Sequence, residues 1–267
     1  MLKALIDKAD WVRRETLKIH AIAPETRVAS SLSCIEVLTC LYYGKVLAFD
    51  PSDINWSERD RFIISKAHGS ISLYPILADL GFIGREELSK VCQQEARLGC
   101  IPDMLIPGYE TINGSLGHGL GVACGIALAL KRQNRSEKTF VLMGDGELYE
   151  GSVWEAVMFA GEHKADNLIL IIDRNKACML DFCDKIIDLE PLETKFEAFK
   201  WQVKRVDGHD IAAVNEALLG LKNSGDHRPK VLIADTTKGK GVPSLESDAL
   251  SHMRVLKKEE IYSLLGE

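Results

Sequence analysis

The sequence contains no CxxC pair, no G-x-G-x-x-G stretch opening a helix after its first strand, and no apolar run long enough to span a bilayer. Each absence removes a class of protein. Seven cysteines, an odd number without paired spacing, argue against a disulfide framework or a zinc site and fit reduced thiols in a reducing compartment. Cys178 and Cys183 read as core or loop thiols, since free cysteine is commonly buried. Without the glycine fingerprint, and with no acidic ribose partner to place, a nicotinamide-dependent Rossmann enzyme is disfavoured. The longest apolar run, GLGVACGIALAL, is too short and too glycine-rich to cross a membrane. Basic residues are also in deficit: 33 lysines and arginines face 39 aspartates and glutamates, a formal charge of −6, and no concentrated basic face marks a nucleic-acid binder. The N-terminal MLKALIDKADWVRRETLKIH has amphipathic helical spacing with mixed charges rather than the apolar core of a signal peptide. A cytoplasmic protein that touches neither membrane nor nucleic acid is the expectation.

What is present is an ordinary globular composition, 46% apolar and 27% charged, in 267 residues. That length suits one large α/β domain spanning 1–267. Periodicity predicts a helical first fifty residues, with Pro24 breaking the first helix and SLSCIEVLTCLYYGKVL forming the next. RFIIS is a short β-rich run, followed by a helix through SISLYPILADLG. The glycine- and proline-rich CIPDMLIPGYETINGSLGHG is irregular and leads into an alanine-rich helix ending near Lys131. TFVLMG, NLILIID, WQVKRVD and KVLIADTT then alternate with helices over SVWEAVMFAGEH, ETKFEAFK and AAVNEALLGL. Continuous apolar strands separated by helices predict an α/β fold with a parallel central sheet and helices on both faces. The C-terminal LKKEEIYSLLGE reads as a short surface helix. There is no internal repeat.

The stretch VLMGDGELYEG places an aspartate, Asp145, just after a strand, and DRNKA places Asn175 just after the next. A strand–helix–strand crossover returns the chain beside its starting point, so both side chains can converge at one rim, where open parallel sheets bind ligands. Both offer oxygen, the ligand type of Mg²⁺ or Ca²⁺, cations that complete their shells with phosphate and water. The flanking glycines let backbone approach a bulky anion, and the Gly146 amide can face it from a helix start. The pair reads as a diphosphate–metal cradle. A plain turn-and-cap role for GDG stands beside that reading, since aspartate and glycine are common turn residues.

GDGELYEG with DRNK resembles the thiamine diphosphate signature, and the wider pattern is similar to the N-terminal, diphosphate-binding part of transketolases. DRFIISKAHGSISLY, PGYETINGSLGHGLGVACG and TTKGKGVPSLESDALSH match family segments in order and cover most of the chain. The resemblance implies a thiamine diphosphate-binding fold, with Mg²⁺ (or Ca²⁺ or Mn²⁺) held by Asp145, Asn175 and the carbonyl of Ala177. His68, Gly114, Ser115, Gly146 and His252 would contact the cofactor, Leu116 would pack on its thiazolium, and Glu150 would join a carboxylate network near a subunit interface. His68, His252 and Glu150 are the implied catalytic groups. Read without the family, both histidines could be ordinary loop residues and Leu116 simple core.

Two positions depart from the family. TRVASSLS places Arg27 where a histidine is usual, and GCIPD places Ile101 where another is usual. Both family histidines serve the sugar substrate. An arginine is a permanently charged fork suited to a carboxylate or phosphate, so Arg27 either binds an anionic substrate group or makes an interface ion pair. The resemblance covers only the diphosphate-binding part. It implies a split enzyme whose pyrimidine-binding and C-terminal domains lie on a second chain, in an α2β2 assembly acting on sugar or keto-acid substrates. Transfer of a two-carbon ketol unit to an aldehyde is the expected reaction. A decarboxylating acyl or aldehyde transfer from a pyruvate-like donor, or a non-catalytic scaffold, are the alternatives.

Overall fold

In the computed structural model, which describes residues 2–112 and 114–267, five strands form one wholly parallel sheet in the order β1-β2-β3-β5-β4. The strands are β1 (Arg61–Ile64), β2 (Thr139–Gly144), β3 (Leu168–Arg174), β4 (Gln202–Asp207) and β5 (Lys230–Asp235). β2 is buried along its whole length and β3 to its last residue but one, and both carry unbroken apolar runs, as strands covered on both faces must. The edge strand β4 is half exposed and carries Lys204 and Arg205. Charge on an edge opposes pairing with another sheet.

Alternate residues of each strand feed two separate cores. Phe62, Ile64, Phe140, Leu142, Ile169, Ile171 and Leu232 point to one face, and Ile63, Val141, Met143, Leu170, Ile172 and Ile233 to the other. The first core is roofed by α1 (Leu2–Ile22), α2 (Val28–Leu32), α3 (Ile35–Tyr43), α4 (Leu73–Leu80), α9 (Ile211–Lys222) and α11 (Lys258–Leu265). The second lies under α5 (Gly119–Arg132), α6 (Gly151–Glu162) and α8 (Leu192–Ala198). Two short helices, α7 (Cys183–Ile186) and α10 (Pro243–Glu246), sit in the loops beyond β3 and β5. A parallel sheet with helices on both faces is what the alternation of runs predicts.

Helices α5, α6 and α9 fall within two residues of their expected bounds, and Asp210 caps α9 by accepting from the amides of Ala212 and Ala213 at 2.9 and 3.1 Å. The expected helix over SLSCIEVLTCLYYGKVL differs. It breaks at Ser33 and Cys34 into α2 and α3, and stops at Gly44. The break has a cause in the core: the Ser30 carbonyl accepts from Lys66 Nζ at 2.9 Å, and Ser33 Oγ donates to Asp173 at 2.7 Å. Tertiary partners replace continuation of the helix. The expected helix through SISLYPILADLG likewise begins as a 3₁₀ segment, Ala67–Ser72, before α4 proper. The C-terminal helix α11 lies at the surface against α1, burying Ile261 and Leu265. Among the described residues no helix is long and apolar enough to cross a membrane.

Candidate functional site

The sheet register brings four strand ends to one rim. Ile64 pairs with Leu142, Gly144 with Asp173, and Arg174 with Asp235, so the residues that follow leave the sheet side by side. Lys66 and His68 follow β1, Asp145 and Gly146 follow β2, Asn175 and Ala177 follow β3, and Lys238 follows β5. They surround a cavity of about 370 Å³ that also reaches Ser30, Leu116, Glu147, Glu150 and His252. A second cavity of about 400 Å³, between residues 182–192 and 236–248, shares Asp145, Asn175, Ala177 and Lys238.

Asp145 is 7% exposed, with Oδ1 accepting from the Gly146 amide at 2.9 Å and Oδ2 from the Lys176 amide at 2.7 Å. Burial, and then the nearby Asp173 carboxylate, push its pKa up to about 6. Asn175 Oδ1 accepts from the Ala177 amide at 3.3 Å, and its Nδ2 donates to Asp173 Oδ2 at 3.1 Å. The Ala177 carbonyl accepts from Lys238 Nζ at 2.8 Å. Among the described residues no three His, Cys, Asp or Glu side chains gather as a metal cluster. The set is therefore one carboxylate, one amide oxygen and one carbonyl, all hard oxygens. A carboxylate oxygen retains lone pairs after one amide contact, and a buried, charge-strained Asp145 is what a divalent cation would relieve. The donor set fits a hard divalent cation completed by phosphate.

Beneath this cradle lies an ion pair that sequence reasoning missed. Lys66 and Asp173, 1% and 0% exposed, are in direct contact. Burial works against the Lys66 ammonium, yet Asp173 outweighs it and keeps the lysine charged well above its ordinary range. Burial likewise pushes the Asp173 carboxyl up, and Lys66 holds it below its usual value. Among the described residues Lys238 has no carboxylate partner within salt-bridge reach; burial first, and then the charge of Lys66, bring its pKa down to about 8. Glu147 accepts from Ser65 Oγ and, at 2.9 Å, from the Gly117 amide. Lys66, Ser30, Glu147 and Lys238 sat in stretches already singled out, SKAH, VASSLS, GDGE and TTKGKG. Their spacing carried no signal separating them from turn and cap residues.

His68 and His252 pack edge-to-face on the cavity wall with ring centroids 5.0 Å apart, and His252 Nδ1 lies 3.3 Å from Ser30 Oγ. Burial and then Lys66 depress the His68 pKa to about 3, while burial, Lys238 and Arg27 depress that of His252 to about 4. Both rings are neutral at pH 7, each with one donor and one acceptor nitrogen. A Cβ at Gly146 would stand 3.2 Å from the Cβ of Cys178, a tight contact that the neighbour would have to relax. The structure thus brings together His68, Leu116, Asp145, Gly146, Glu150, Asn175, Ala177 and His252. Gly114 and Ser115 are exposed and outside the cavity wall, as is Ile101, which is 41% exposed. Arg27 is half-buried at the start of α2, near enough to depress both histidines, and its side chain makes no hydrogen bond or ion pair among the described residues.

Residues 23–265 match the profile described as transketolase, thiamine diphosphate binding domain. The chain belongs to the transketolase family. It is 40% identical over 262 residues to one subunit of the apulose-4-phosphate transketolase of Actinobacillus succinogenes, covering 97% of this chain and 94% of that one. A 6-deoxy-6-sulfo-D-fructose transketolase subunit from a Clostridium species is 36% identical, over 94% and 91% of the two chains. Human transketolase is 33% identical over 98% of this chain but only 42% of its own length. A crystal structure of Campylobacter jejuni transketolase superposes with a TM-score of 0.90 at 30% identity, covering 100% of this chain and 43% of that one. The transketolase-family chain therefore corresponds to the cofactor-binding part of long transketolases and to nearly the whole of relatives named as separate subunits.

Proposed function

We propose that this chain, acting over its whole length as one diphosphate-binding unit, is the N-terminal subunit of a two-chain thiamine diphosphate-dependent transketolase. The observation that carries this is the convergence of Asp145, Gly146, Asn175 and the Ala177 carbonyl at one rim, above a buried Lys66–Asp173 pair. Asp145, Asn175 and Ala177 would hold Mg²⁺ and through it the cofactor's diphosphate, with the Gly146 amide donating to the same anion. Lys238, at 2.8 Å from the Ala177 carbonyl, adds positive charge there. When bound, thiamine diphosphate supplies the carbon nucleophile and electron sink for breaking a C–C bond. His68 and His252, kept neutral by burial, can each accept or donate one hydrogen bond at the reacting end and hold a proton in transit. Glu150, exposed beside the cleft, would join a carboxylate network near the subunit interface. Relatives named as individual transketolase subunits support a second chain that completes the site, and an α2β2 assembly in the cytoplasm is part of the same proposal.

The reaction is transfer of a two-carbon ketol unit to an aldehyde acceptor. Purified alone with Mg²⁺ and thiamine diphosphate, the chain is expected to show no turnover, and activity is expected when its partner chain is added. Robust catalysis by this chain alone would refute the two-chain reading. An absence of calorimetric cofactor binding with and without partner would favour a scaffold.

The Arg27 guanidinium, without a hydrogen-bond or ion-pair partner among the described residues, favours a second reading, in which the donor carries an anionic group near the reacting carbon, as a pyruvate-like keto acid does. Arg27→Ala in the assembled enzyme is expected to raise KM for a keto-acid donor by about tenfold or more, and to change KM for an uncharged ketose little. Equal effects on both donors would leave Arg27 a structural residue.

A further inference from the structure

We propose that Cys92 and Cys100 are a redox-active thiol pair that closes into a reversible disulfide, fixing the loop that carries Ile101. Their sulfurs lie 3.6 Å apart, and both residues are half-exposed. The backbone, not the sulfurs, brings them together. The Cys92 amide donates to the Leu98 carbonyl at 2.8 Å, and buried Val91 and Leu98 anchor the two arms of the loop. Cys92 has φ 62°, a left-handed conformation rare for a residue with a side chain, so its placement is imposed by the loop closure around it. A disulfide requires sulfurs about 2.05 Å apart, so the pair, already at 3.6 Å, closes by an approach of about 1.5 Å.

The pair lies beside the two positions that depart from the family. Cys100 directly precedes Ile101, and the Cys92 thiol also faces Glu25, two residues before Arg27; burial, Cys100 and Glu25 together raise its pKa to about 12. The same loop is tied to the segment holding His68: Tyr74, just past Ala67–Ser72, donates its hydroxyl to the Gly99 carbonyl at 2.9 Å. No other two cysteines are in thiol–thiol hydrogen-bond contact among the described residues. The oxidant is a low-molecular-weight disulfide. The Cys100 thiolate attacks one of its sulfurs and releases one small thiol; Cys92 then gives up its proton and displaces the second, forming the Cys92–Cys100 bond. Two protein thiols are oxidised and one disulfide is reduced to two thiols. A partly exposed pair of this kind belongs to the labile, regulatory class of disulfides rather than the structural one.

The test is titration of the full-length reduced chain with oxidised glutathione, followed by mass spectrometry. The expected product has lost two hydrogens and links tryptic segments 91–97 and 98–131; dithiothreitol restores the reduced mass. Cys100→Ser and Cys92→Ser should each form only a glutathione adduct on the remaining thiol. Glutathione adducts without linkage in the wild type, or linkage that persists in Cys100→Ser, would overturn the proposal. The consequence for substrate rests on the proposed function and is read separately. With the partner chain and cofactor added, oxidation should shift donor KM by about threefold or more with little change in kcat, reversibly and not in Cys100→Ser. Complete linkage with an unmoved KM would refute any coupling of this loop to substrate, whereas absent turnover before oxidation would count against the proposed function alone.

Discussion

Asp145→Asn is expected to abolish metal-dependent cofactor binding while leaving the metal-free chain as stable as wild type, or up to about 2 kcal/mol more stable at pH 7.5. Asp145's pKa of about 6 stands above the ordinary carboxylate value of 3.8 because burial and Asp173 disfavour its charge. The folded chain thus holds a proton between those values that the unfolded chain has released. Stability from this site is complete below pH 3.8 and is lost as pH rises through about 6, so at neutral pH the buried charge costs on the order of 3 kcal/mol. An asparagine removes that charge. It also turns one of the two acceptors, for the Gly146 or the Lys176 amide, into a donor, offsetting about 1 kcal/mol. In wild type, Mg²⁺ with thiamine diphosphate at a hundred times their dissociation constant should add about 2.7 kcal/mol, and in the variant nothing. Urea unfolding with and without both ligands measures this. Retention of the ligand-induced shift in Asp145→Asn would remove Asp145 from the metal site.

The fold was legible because the strands announced themselves. TFVLMG becomes a strand with unchanged bounds and KVLIADTT one that ends two residues early, and in a parallel sheet such apolar runs have no other stable home. The strand order was not legible, since a crossover fixes its hand and neighbour but not which edge later strands join. Asp145 and Asn175 could be placed at one rim from the length of the connection between them, and Gly144 pairing with Asp173 is that placement in register. Less could be read where a polar residue's role is set by residues distant in sequence. Lys66 and Asp173 are 107 positions apart and meet only because β1 and β3 flank β2. The helix break at Ser33 has the same origin, as the serine is drawn to that aspartate. Local propensity contains no record of such a partner.

Lys66→Met is expected to destabilise the chain by about 3–5 kcal/mol at pH 7.5, because it leaves the fully buried Asp173 carboxylate without its countercharge. The remaining donors are the hydroxyls of Ser33 and Thr236 and the amide of Asn175, none of them charged. Asp173 is now held below its ordinary pKa, with Lys66 outweighing burial. In that state its stabilisation is present above the unfolded carboxylate value and is lost as pH falls. Without Lys66, burial prevails and the shift reverses sign, so the deficit of Lys66→Met should be largest at neutral pH and shrink on acidification. Adding Asp173→Asn to Lys66→Met should recover at least half of the loss, since no buried charge remains. The cleft responds as well. Lys66 Nζ holds the Ser30 carbonyl at 2.9 Å, Ser30 Oγ meets His252, and after burial Lys66 is the largest influence keeping His68 neutral. The His68 pKa should therefore rise in the variant, measurable by NMR titration of its ring protons beside urea unfolding. A Lys66→Met protein within about 1 kcal/mol of wild type, with an unmoved His68, would mean that the pair under the cradle neither holds the fold nor sets the electrostatics of the site above it.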